Sequence, residues 1–132
     1  MNIEEVYRKL KESIEKRKEI IFAYIHGSFI ELTKFRDIDI AVYVNESLVP
    51  RDEALEYVLE ISALTEFETG IMPLDIKILN YASIGFKYHA TKGTLLFSKD
   101  EDKRTDFLED TWKRYFDLLP KRKQIIVDLL AA

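Results

Sequence analysis

Gly27-Ser28-Phe29-Ile30-Glu31-Leu32-Thr33-Lys34-Phe35-Arg36-Asp37-Ile38-Asp39 is the stretch on which the reading of this chain turns. It follows Ile20 to Ile25, a continuous run of strand-forming apolar residues of the kind covered on both faces in a central strand. Gly27 ends that run, because a residue without Cβ lets the backbone turn sharply, and Ser28 would open a short helical turn whose free N–H groups could face an anion. From Asp37 to Val44 the pattern becomes alternating, with Ile38, Ile40, Val42 and Val44 on one side and Asp37 and Asp39 on the other. Two carboxylates held that close raise each other's pKa. A hard divalent cation that takes oxygen ligands from both is a physical reason to keep them together.

Outward from this core, Asn2 with Glu5 resembles a capping box, and Val6, Leu10 and Ile14 repeat at helical spacing, predicting a helix over 3–17. A second helix should run from Pro50 to about Phe67, with Gly70 and Pro73 in the loop beyond it. Leu74 to Leu79 reads as a third strand, with Leu74, Ile76 and Ile78 on one side and Asp75 and Lys77 on the other. Asp75 is thus a third candidate carboxylate, and Lys77 is expected to pair with it. A short helix over 82–92 and a small strand over 94–97 follow. Asp100 to Lys103 reads as a charged connector. Phe107, Leu108, Thr111, Trp112, Tyr115, Phe116 and Leu119 then form an apolar stripe on a helix that should stop or kink near Pro120, before a last helix over 121–130. That stripe serves equally as packing for the chain's own sheet or as a partner surface. His26 reads as a hydrogen-bonded residue at a strand end, and His89 as structural.

The composition bounds the function. At 132 residues the chain is long enough for one domain with a real core, and a 47% apolar share with 33% charged residues belongs to a soluble globular protein rather than a disordered one. No apolar run reaches the length of a membrane span, and the charged segment from Met1 to Lys18 does not resemble a signal peptide, so a cytoplasmic location is expected. There are no cysteines, which excludes disulfides and thiolate metal sites. A net charge of -4 argues against direct binding to nucleic acid.

With Gly27-Ser28, Asp37-Ile38-Asp39 and Asp75 together, the chain resembles the minimal nucleotidyltransferases of the polymerase-beta-like superfamily, and most of all the antitoxins of HEPN/MNT toxin–antitoxin pairs. The likeness extends through Leu79-Asn80, Ala82 and Gly93-x-Leu95-Leu96-Phe97. It implies an α/β (α+β) fold in which a small mixed sheet packs helices on one face and carries the acidic site on the other. Residues 1–132 would form a single nucleotidyltransferase domain with a C-terminal helical segment over about 104–131. The resemblance further implies that Asp37, Asp39 and Asp75 are catalytic and hold Mg²⁺, in a two-ion site. Gly27 and Ser28 would grip the phosphates of ATP, with Lys34 and Arg36 as candidate phosphate contacts. The implied reaction passes AMP from ATP to a hydroxyl, by analogy a tyrosine of a cognate HEPN ribonuclease toxin. Phe29, Ile30, Glu31 and Leu32 stand where relatives often carry small or basic residues, which leaves open an antitoxin that acts by binding alone. A homo-oligomer contact through the C-terminal helix is also open.

Overall fold

A computed structural model of the chain describes residues 2–26 and 37–131. Helix α1 (Ile3–Glu15) opens on Asn2, whose side chain accepts a hydrogen bond from the Glu5 amide at 2.8 Å. Val6, Leu10 and Ile14, each four residues after the last, bury completely against the sheet, as the spacing predicts. The strands are β1 (Ile20–His26), β2 (Ile38–Val44), β3 (Leu74–Ile78) and β4 (Thr94–Ser98), and they lie in the order β3-β2-β1-β4. β1 is antiparallel to both β2 and β4, whereas β2 and β3 are parallel. Parallel neighbours cannot be joined by a tight turn. The crossover between them is a 3-10 turn (Arg51–Glu53) and α2 (Ala54–Thr69), which ends on Gly70 in a left-handed conformation with φ 72°. α3 (Ile84–Thr91) and α4 (Glu101–Ala131) complete the order. Among the described residues no helix is long and apolar enough to cross a membrane.

The expected mixed sheet of an α+β fold is therefore present, with one addition. α1 and α2 close one face, where Leu10, Ile14, Ile25, Ile40, Val42, Ile61 and Ile76 form the main core. The face that carries the acids is also partly covered, because α3 and the first half of α4 pack Phe86, Ala90, Phe107 and Leu108 against Phe22, Tyr24, Ala41 and Leu79. Phe22 stacks on Tyr43 with ring centroids 4.7 Å apart, and Phe107 closes on both rings. Trp112 of the aromatic stripe donates its indole N–H to Thr91 Oγ1 at 3.2 Å. The stripe thus packs on its own domain at its start, while Phe116 and Leu119 remain exposed.

Two expectations about α4 are corrected. Asp100 is not part of a loose connector: its carboxylate accepts from the Lys103 amide at 3.1 Å and its carbonyl from the Arg104 amide, so it caps the helix. Nor does the helix stop at Pro120, which lies inside a single run of 31 residues. A proline ring removes one backbone donor and leaves the carbonyl four residues earlier without it, here that of Phe116. Phe116 is half exposed, so water can satisfy that carbonyl and the helix continues.

Asn80 has a structural task. Its side chain accepts from the Val44 amide and donates to the Val44 carbonyl, both at 2.9 Å, and so extends the β2–β3 ladder past the last residue of β3. Asn80→Ala would strand both groups of Val44, a residue 1% exposed. A loss of about 2 kcal/mol is expected in urea unfolding.

Candidate active site

The site face is set by register. β1 and β2 pair His26 with Asp39, and β2 and β3 pair Asp39 with Asp75, so the three side chains form one row across neighbouring strands. Neighbouring strands lie ~5 Å apart, so Asp39 and Asp75 stand side by side. They share the face of Ala41 and Tyr43, opposite the main core that takes Ile38, Ile40, Leu74 and Ile76. Asp37 lies immediately before β2 rather than within it, and it is exposed. Its charge still reaches Asp39, whose pKa is raised first by burial and then by Asp75 and Asp37, against the opposing pull of His26 and Lys77. Gly27, Ser28, Lys34 and Arg36 lie outside the described residues.

Lys77, two residues along β3 from Asp75, places Nζ 3.7 Å from Asp75 Oδ2, the ion pair expected from the sequence. Its ammonium also sits 5.4 Å from the centre of the Phe86 ring. Both partners are about half exposed, so the pair is weak in energy and free to open. It supplies a positive charge beside the acids.

His26 is the residue whose environment the sequence did not reveal. Read as hydrogen-bonded, it has instead a buried Nε2 with no hydrogen-bond partner among the described residues. Its ring meets the Phe86 ring edge-on at 5.3 Å. Burial lowers its pKa, and the nearby Asp39 only partly offsets this. The cause of its placement is a bulge: register slips between Ile20 and Phe22 on β1. Ile20, Ala23 and Ile25 face the main core, while Ile21, Phe22 and Tyr24 face the other side. A strand without that slip would send His26 to the same face as Ile20, because one residue of shift reverses every side chain that follows. The only sequence signal was the pair of adjacent bulky residues, Ile21-Phe22.

Among the described residues, no three His, Asp or Glu side chains are gathered closely enough to hold a metal ion as they stand. The donor chemistry nonetheless fits a hard cation, since Asp39 and Asp75 present carboxylate oxygens from adjacent strands, with Asp37 just upstream.

A mixed sheet with acids side by side on two adjacent strands is the arrangement of a nucleotidyltransferase-type domain. The family model "Polymerase beta, Nucleotidyltransferase" matches residues 8–102, and the chain belongs to that family. No curated protein matches it. Solved structures do. One is a chain from a tri-AMPylated Shewanella oneidensis HEPN toxin in complex with MNT antitoxin, with a TM-score of 0.66 at 19% identity over 94% of this chain and 98% of that one. A chain of a toxin–antitoxin with AMP-PNP gives 0.65 at 22% identity over 98% and 99%. A chain of the toxin–antitoxin MntA-HepT gives 0.62 at 19% over 96% and 95%. These likenesses concern the fold, and they span nearly the whole of each chain.

Proposed function

We propose that this protein is an Mg²⁺-dependent nucleotidyltransferase that passes AMP from ATP to a hydroxyl of a cognate HEPN-family toxin, a tyrosine in the favoured case, and thereby acts as its antitoxin. The observation that carries the reading is the register pairing of Asp39 with Asp75 within the polymerase beta nucleotidyltransferase fold. The AMP-PNP and the AMPylated toxin in the structural relatives supply the nucleotide and the acceptor class.

Asp39, Asp75 and Asp37 would hold the cation, which when bound supplies charge neutralisation at the triphosphate. In the transfer, the acceptor oxygen bonds to the α-phosphorus while the bond from that phosphorus to the bridging oxygen breaks. Pyrophosphate leaves with the electron pair, and the hydroxyl proton passes to solvent or to a site carboxylate. Little covalent work falls to the protein, so positioning dominates. Gly27 and Ser28 would receive the leaving phosphates, with Lys34 or Arg36 adding positive charge. Lys77 would release Asp75 to the cation and face the phosphates instead. Its replacement, Lys77→Met, is expected to lower kcat by about tenfold with a smaller change in KM for ATP, checked by steady-state kinetics.

The reading is tested by incubating the purified protein with ATP labelled on the α-phosphate, Mg²⁺ and the toxin encoded beside it. Label on the toxin that disappears with EDTA is expected. An unlabelled toxin, under conditions where a related antitoxin labels its own, would overturn it.

A further inference from the structure

Two surfaces of this chain are apolar, exposed and opposite in charge. On α2, the positions turned from the core form an unbroken stripe of Leu55, Leu59, Ala63 and Phe67, each four residues after the last. Phe67 is 86% exposed and Leu55 73%. A helix apolar on both faces is ordinarily covered on both. From Asp52 to Thr69 every charged residue is acidic, and the exposed Glu56 and Glu60 flank the stripe. Two copies of α2 would therefore meet acid against acid, which disfavours pairing of this face with itself.

The matching surface is the end of α4. Beyond Pro120 every residue to Ala131 is exposed. Its helical spacing places Ile125, Ile126, Leu129 and Leu130 on one side. On the other side Gln124 donates to Asp128 at 2.8 Å. The turn that leads into this apolar side is Lys121-Arg122-Lys123, and none of the three makes an ion pair among the described residues. The segment is ~16 Å long and α2 is ~24 Å, so the whole tail can lie along the stripe.

We infer that the last three turns of α4 dock on the outer face of α2 in a second copy of this chain, basic turn against acidic flank. Two such contacts exchanged between two copies close a symmetric dimer and leave no surface for further growth. The inference is independent of the catalytic reading, because neither helix face carries a site residue.

The protein is examined by sedimentation equilibrium over a range of concentrations and salt. A dimer that weakens with salt is expected. Lys121→Glu/Lys123→Glu and Glu56→Lys/Glu60→Lys should each weaken it by about tenfold or more, and an equimolar mixture of the two variants should recover both reciprocal contacts, one native and one with its charges exchanged. All four substituted residues are exposed, and a cooperative thermal transition with native helical content below it confirms that each variant is folded. A chain that is monomeric at every concentration would overturn the inference. So would a dimer insensitive to the Glu56/Glu60 pair, or a tail that associates with the toxin alone.

Discussion

Asp39→Asn is expected to reduce nucleotidyl transfer by about 10³-fold while leaving the metal-free protein at least as stable as the native one. Activity and stability separate because of what surrounds the carboxylate. Asp39 is partly buried, in register with Asp75 and within reach of the Asp37 charge. These effects outweigh His26 and Lys77 and raise its pKa. A carboxyl whose pKa is higher in the folded state binds its proton more tightly there, so its ionisation opposes folding. The penalty is absent below the ordinary carboxylate range, where Asp39 is protonated folded or unfolded, and it grows as pH rises through the raised value. Asn removes it. In EDTA, the melting temperature of Asp39→Asn should therefore equal or exceed that of the native protein at neutral pH, and the difference should shrink as the solution is acidified. A variant that loses both activity and fold would show that Asp39 holds the sheet together rather than serving chemistry. The same variant separates transfer from occupancy. Toxin neutralised equally well by Asp39→Asn would favour an antitoxin that works by binding alone, whereas retained complex without neutralisation favours catalysis.

What the sequence made legible follows from periodicity. The unbroken apolar run Ile20 to Ile25 and the alternation after Asp37 predicted two central strands, and both strands form with their Ile and Val side chains buried, save the half-buried Ile21 at the bulge. Asp75 and Lys77 also fell on the expected side of β3, because a period of two leaves no other choice once Leu74, Ile76 and Ile78 face the core. Three features were hidden for identifiable reasons. The β1 bulge depends on pairing with β2, at which the adjacent Ile21-Phe22 only hints, and it is what turns His26 toward the acids. α4 passes through Pro120 because the one carbonyl left without a donor is at the surface, a matter of exposure rather than of local preference. The covering of the acidic face by α3 and α4 arises from Phe86, Ala90 and Phe107, apolar residues whose destination a helical period cannot specify.

Gly93→Ala is expected to damage the site from outside it. Gly93 lies between α3 and β4, and its φ is not in the left-handed range, so its glycine is required by proximity rather than by backbone conformation. A Cβ built there would lie 2.3 Å from the Ile25 carbonyl oxygen and 3.0 Å from both Cα and Cβ of His26. The first obstacle is backbone, which no rotamer change can move. Relief has to come from shifting the end of β1 or the α3–β4 turn, at a cost of about 3 kcal/mol, the upper end for overpacking. Because β1 pairs His26 with Asp39, the shift should also loosen the row that places Asp39 beside Asp75. Transfer activity should therefore fall even where the variant remains folded and all three aspartates are intact. Gly93→Val should be worse in both respects. Gly85→Ala is the control, since a Cβ within α3 at that position meets nothing within 4 Å. It should be neutral or stabilise the protein by about 0.5–1 kcal/mol. Urea denaturation of the three variants, with transfer assayed below the unfolding transition, measures both effects. Gly93→Ala unfolding at the native midpoint would show that the β1 end yields freely, and the link between this turn and the acidic row would be lost.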